Sequence, residues 1–166
     1  APAAGFPVSF RENGILFSRA VQSGPVNRQE SVKGPRKGAG GLEEAMIIRK
    51  ETPADYEAVY ELVKAAFAAA EHSDGREHEL VAALRKSGAF VPGLSLVAET
   101  DGILAGHILF TEIRIGGRTA LALAPLSVLP AYQRRGVGSA LIAEGHRAAR
   151  ELRYPFSVVL GSERYY

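Results

Sequence analysis

The stretch LPAYQRRGVGSALI, Leu129–Ile142, stands between a run that reads as a strand, RTALALAPLSV, and a run that reads as a helix. Two arginines and two glycines sit where one becomes the other. The first backbone N–H groups of a helix have no internal partners, and the helix dipole places partial positive charge on them. Anions bind at such ends. Glycine at 136 and 138 allows a phosphate to approach the backbone, and Arg134 and Arg135 add charge beside it. The stretch therefore predicts a diphosphate site. A Walker A loop ends in Gly-Lys-Ser/Thr, whereas Gly138 is followed by Ser139-Ala140. A dinucleotide fingerprint places its third glycine where Leu141 stands. Neither pattern fits.

The strand before this loop carries a second signal. Leu121 and Leu123 share one parity, and Leu126 and Val128 have the other. Side chains alternate with period two, so the switch predicts an inserted residue near Pro125 or a strand that bends there. Proline also lacks a ladder donor, which suits a bulge or a strand leaving its neighbour. Downstream, Val137–Leu152 predicts a helix with Val137, Leu141, Ala148 and Leu152 inward and His146 outward. FSVVL then reads as a strand buried on both faces, which gives a strand–helix–strand unit with right-handed crossover.

Upstream, MIIRK (46–50) reads as a strand. Thr52, with Pro53 at the first helical position and Asp55 three residues after the cap, predicts a helix start. Tyr56, Val59, Tyr60, Val63 and Phe67 follow at helical spacing. HSDG breaks that helix. Asp74 and Glu77 predict the box of a second helix, with Leu80, Val81 and Leu84 inward and Ser87-Gly88 at its end. LSLVAET-DG-ILAGHILFTEIRI reads as a hairpin about Asp101-Gly102, and Gly116-Gly117 turns into the next strand. The expected order over 46–166 is β-α-α-β-β-β-α-β.

With 166 residues the chain holds about one domain. No run reaches the ~18 apolar residues of a membrane span. The chain has no cysteine, so sulfur supplies neither disulfides nor metal ligands; this is compatible with the cytoplasm, where we expect the protein. Residues 46–166 hold fourteen basic and fourteen acidic side chains, so that part is neutral and carries no electrostatic footprint for nucleic acid. Residues 1–45 hold the excess of base, are interrupted by Gly and Pro, and predict disorder apart from a short strand at Ile15–Phe17. Glu12 and Glu30 argue against a transit peptide. Met46 is the only methionine, and regular structure is expected to begin there. We therefore expect residues 1–45 to be a disordered or non-native extension and residues 46–166 to be the domain. Because GSERYY follows directly on an apolar run, the C-terminal part of that domain is expected to be missing.

The form Gln-x-x-Gly-x-Gly after a strand ending V-x-P, in this order of elements, resembles the coenzyme A loop of the GNAT superfamily of N-acyltransferases over roughly Met46–Tyr166. The likeness is greatest to small bacterial N-acetyltransferases whose substrates are often unassigned. It implies an α/β (α+β) fold with a mixed, mostly antiparallel sheet, flanking helices and a splayed strand at the coenzyme cleft. It also implies acetyl-CoA as acyl donor and an amine as acceptor, with no metal, nucleic acid or membrane partner. Gln133, Arg134, Arg135, Gly136, Val137, Gly138 and Ser139 would surround the pyrophosphate. Leu126, Ser127, Val128 and Leu129 would line the pantetheine arm like an added strand. A tyrosine near the start of the following helix would protonate the leaving thiolate, with Tyr166 first and Tyr165 second by position.

The base is open at this point. Glu112 has the parity opposite to Ile113 and faces either the cleft or water; His107 is a second candidate, and a chain of water molecules a third. His72, Asp74, Glu77 and His78 match no ligand spacing and read as caps and solvated surface. Arg147, Arg150 and Arg153 read as a solvated helix end. A non-catalytic acyl-CoA-binding module would keep the same loop while lacking acid and base.

Overall fold

The computed structural model describes residues 9–12, 15–19, 46–68 and 73–160. In chain order these form β1 (Ser9–Glu12), β2 (Ile15–Arg19), β3 (Met46–Lys50), α1 (Tyr56–Phe67), α2 (Glu77–Arg85), β4 (Phe90–Thr100), β5 (Ile103–Ile115), β6 (Arg118–Val128), α3 (Val137–Glu151) and β7 (Phe156–Leu160). One seven-stranded sheet has the order β1-β2-β7-β6-β5-β4-β3. Only β6 and β7 run parallel, joined by α3; every other neighbouring pair is antiparallel. The order expected over 46–160 is the observed one. No helix among the described residues is long and apolar enough to cross a membrane.

Two short segments of residues 1–45 are described, β1 and β2. β2 contains the predicted Ile15–Phe17 and pairs along β7, Ile15 opposite Leu160 and Arg19 opposite Phe156. The edge of β7 offers a row of unpaired backbone groups, which is what such a strand needs. Apart from β1 and β2, residues 1–45 lie outside the described residues.

The two helical layers divide the core. Val137, Leu141 and Ala149 of α3 pack with Leu94, Leu96, Ile108, Phe110, Leu121 and Leu123 on one face. Val59, Leu62 and Val63 of α1 and Val81 of α2 pack with Val97 and Leu109 on the other. The expected inward face of α3 needs correction. Leu152 is exposed, and the buried stripe runs Val137, Leu141, Gly145, Ala149, one residue every four. Gly145 has no side chain to announce itself in a hydrophobic pattern, yet it lets α3 settle on Phe110. A Cβ at 145 would stand 2.4 Å from Phe110 Cε2. Gly145→Ala is expected to destabilise the fold in a denaturant titration. Overpacking costs about 1–3 kcal/mol, more than the ~1 kcal/mol of helix propensity alanine returns.

His146 also departs from expectation. It is half-buried, with Nε2 3.1 Å from Ser157 Oγ, and burial followed by Arg150 lowers its pKa. Thr52 and Asp55 form the box read from the sequence, over a 3₁₀ turn, Pro53–Asp55, that leads into α1, and there is a tertiary addition. The Asp55 carboxylate accepts from the Thr52 amide and hydroxyl, each at 2.8 Å, and from both terminal nitrogens of Arg49 on β3. The Arg49 hydrogen bonds hold the Asp55 carboxyl well below the usual range. Its folded pKa is thus depressed, so its stabilisation is present above the unfolded value of about 3.9 and is lost as pH falls toward the folded one. Asp55→Asn is expected to be less stable than the parent at pH 7, with the difference shrinking below about pH 4 in acid titrations.

Asp74 does not cap α2. It accepts from the Arg76 amide at 3.0 Å in a local turn, and α2 begins at Glu77 with no side-chain cap. His78 is buried edge-on against Tyr60, at 4.6 Å between ring centres, rather than solvated.

Candidate functional site

The bulge predicted near Pro125 is present. Ile108 pairs with Leu126 and Phe110 with Leu123, so β6 spends one residue more than β5 between these pairs. Leu121, Leu123, Leu126 and Val128 consequently all reach the α3-side core despite their change of parity. β7 pairs with β6 only from Leu121 to Leu123, before the bulge. Beyond it, among the described residues, β6 has a neighbour on the β5 side alone.

That one-sided pairing leaves backbone groups available. The Leu129 amide donates to the Ala105 carbonyl at 2.9 Å. Backbone direction alternates along an antiparallel pair, so Ser127 and Leu129 point toward β5 while Leu126 and Val128 point away from it. Gln133 Nε2 donates to the Val128 carbonyl at 3.1 Å. The loop glutamine thereby fixes the end of β6 and leaves the Val128 amide facing the opening.

The loop then delivers α3. Gly136 is the N-cap at φ +86°, and Arg134 is left-handed at φ +60°. The Ala140 amide bonds back to the Gly136 carbonyl at 3.0 Å. The amides of Val137, Gly138 and Ser139 precede that first helical bond, and a glycine cap has no side chain to cover them. A cavity of about 290 Å³ opens at this point, lined by Ala66 and Phe67 of α1, Leu126, Ser127, Val128, Gln133, Arg134 and Gly138. The two arginines separate. Arg134 lines the cavity, while the Arg135 guanidinium lies 5.6 Å from the centre of the Tyr132 ring. Leu129, Gly136, Val137 and Ser139 shape the loop and helix start without lining the cavity.

Glu112 lies elsewhere. It shares parity with Ile108 and Phe110, which face α3, and it is exposed with Tyr154 Oη donating to its Oε2 at 3.3 Å. Burial, then the Glu112 charge, raises the Tyr154 pKa. Tyr165, Tyr166 and His72 lie outside the described residues.

His107 is fully buried on the opposite face of the sheet from α3, in a polar cluster the sequence reading did not assemble. Ser95 Oγ is 2.7 Å from Glu51 Oε2 and 3.1 Å from His107 Nε2. Arg85 closes the cluster on Glu51, with side chains only 7% and 1% exposed respectively, and lies 4.1 Å over the Tyr56 ring. Burial, then the positive Arg85, pushes the His107 pKa down to about 3. The signal for this cluster was Ser95 and His107, each a polar residue inside an otherwise apolar strand; nothing local in Glu51 or Arg85 distinguishes them from surface charges.

The sequence model of the Acetyltransferase (GNAT) family matches residues 56–164. This chain belongs to the GNAT family. It is 40% identical over 95 residues to the uncharacterized N-acetyltransferase YjhQ of Escherichia coli, and spans 55% of this chain and 52% of that relative. It is 30% identical over 123 residues to the uncharacterized N-acetyltransferase YhbS of E. coli, covering 73% of this chain and 70% of YhbS. A GNAT family acetyltransferase from Brucella melitensis, solved in complex with acetyl-CoA, superposes with a TM-score of 0.70 at 41% identity over 75% of this chain and 80% of that one. The GNAT fold is thus the mixed sheet with flanking helices described above, and β6 with its bulge is the splayed strand the resemblance led us to expect.

Proposed function

We propose that this GNAT chain transfers the acetyl group of acetyl-CoA to a primary amine by direct attack in a ternary complex. One observation carries the reading: Leu126 and Val128, whose backbone points away from β5, line one cavity together with Gly138 in the first turn of α3, where the amides precede the first helical hydrogen bond. An extended arm with amide groups suits the first feature, and a pyrophosphate suits the second. Acetyl-CoA has both at the required succession. Arg134 supports the phosphate charge, and Phe67 and Ala66 form the wall from which an acceptor enters.

The neutral amine attacks the thioester carbonyl, the C–S bond breaks, the amine gives up a proton, and the thiolate takes one. Tyr166, then Tyr165, is the acid in this reading, following the family resemblance. Glu112 is poorly placed as base because its carboxylate is bound to Tyr154 on the α3 face. Water in the cleft takes that role instead.

Calorimetry with acetyl-CoA, with ADP as the comparison ligand, tests the site. Selective binding of acetyl-CoA is expected; equal or preferred ADP binding rejects the reading. Thiol release is then followed with two amine probes, the aminoglycoside sisomicin and an alanine-leading peptide. Binding without release of thiol for either would favour a non-catalytic acyl-CoA-binding module.

A further inference from the structure

Two buried polar atoms on neighbouring strands have no hydrogen-bonding partner among the described residues: His107 Nδ1 and Ser127 Oγ. His107 and Ser127 are direct partners in the β5–β6 register. Directly opposite residues of an antiparallel pair place their Cβ atoms about 4.5–5.5 Å apart on the same face. A buried polar atom without a partner is costly to leave unsatisfied, so two such atoms side by side call for a shared ligand. Ser127 also lines the coenzyme cavity.

The hydrogen bonds behind His107 determine what that ligand meets. The Glu51 carboxylate is paired with Arg85 and can only accept, so the Ser95 hydroxyl spends its proton on Glu51. Ser95 Oγ must then accept from His107, which puts the imidazole proton on Nε2. The charged groups facing the ring are Glu51, 3.7 Å from Nε2, and Arg85. Burial keeps the ring neutral. Nδ1 is therefore a fixed acceptor, and Ser127 Oγ can donate or accept. A water molecule satisfies both, and a buried water needs two to four such partners.

We propose that His107 Nδ1 and Ser127 Oγ hold an ordered water in the wall of the coenzyme cleft, and that this water accepts a hydrogen bond from the incoming amine. The second clause rests on the acetyltransferase reading; the first does not. Ser95 is a positioning residue, acting by fixing the tautomer of His107.

Long-range 15N–1H spectra of the full 15N-labelled chain at pH 7 read this directly. The expected result is a neutral His107 with the proton on Nε2 and a bare Nδ1 shifted upfield by an accepted hydrogen bond. A proton on Nδ1, a charged ring, or an Nδ1 at the position of an unbonded nitrogen would overturn the proposal. Ser95→Ala is expected to mix the two tautomers; a single unchanged tautomer would show that Ser95 does not set it. A crystal structure of the unaltered chain with acetyl-CoA should place a water about 2.7–3.2 Å from both atoms. A direct His107–Ser127 hydrogen bond, or no ordered water there, counts against it. With an amine probe that is turned over, Ser95→Ala should lower kcat about five- to tenfold, the worth of one hydrogen bond, at unchanged KM for acetyl-CoA. An unchanged kcat removes the amine clause. If neither probe is turned over, that clause falls with the acetyltransferase reading, while the spectra and crystal structure still decide the water site.

Discussion

Glu51→Ala is expected to destabilise the protein by about 3–5 kcal/mol, the usual cost of removing one member of a buried ion pair. Glu51 lies between β3 and α1, Arg85 at the end of α2, and Ser95 and His107 on β4 and β5, so one carboxylate ties four segments together. Its loss leaves the Arg85 guanidinium buried without an anion and the Ser95 hydroxyl without its acceptor. For a domain of this size the melting temperature should fall by about 10 °C or more. Glu51→Gln keeps a carbonyl acceptor and is expected to cost less. The double variant Glu51→Leu with Arg85→Met removes both charges and should recover most of the loss, because a buried pair replaced by packed apolar side chains is often near neutral. Equal stability of the single and double variants in urea titrations would contradict the unpaired-charge explanation.

Gly136→Val is expected to weaken acetyl-CoA binding by at least about tenfold. The backbone at 136 has φ +86°, a conformation that costs a β-branched residue at least about 1–2 kcal/mol. Relief requires the loop to turn, which re-aims the amides of Val137, Gly138 and Ser139 away from the pyrophosphate. Among the described residues no atom lies within 4 Å of a Cβ added at 136, so the core is undisturbed and the melting temperature should change far less than the affinity. Gly136→Asn separates conformation from bulk, since asparagine tolerates left-handed backbone. It should retain more affinity than valine in calorimetry. Equal losses for both would place the effect in side-chain bulk instead.

The two expectations that carried the site were legible for different reasons. The loop was readable because a helix start and its glycines are consecutive in sequence. The bulge was readable because a single inserted residue must reverse the parity of every apolar side chain after it, as Leu123 and Leu126 record. The helix caps were read half correctly. Thr52–Asp55 holds because the box is local, whereas Asp74 turns back on Arg76 and leaves α2 to start without it. Glu112 shows the limit of parity reasoning. Its parity placed it on one of two faces, but only the packing of α3 on Ile108 and Phe110 showed which face that was.

The sequence by itself determined the order of elements from β3 to β7, the bulge in β6 and the glycine-led start of α3, because each depends on residues within a few positions of one another. Tertiary structure alone decided which arginine meets the cavity, that α3 rests on Phe110 through Gly145, and that Glu51, Arg85, Ser95 and His107 are one cluster. Those four residues are spread over 57 positions, from 51 to 107. No local period or propensity records a pairing between segments that meet only when the sheet and its helices pack, and the low dielectric that gives such a cluster its energy exists only after they have done so.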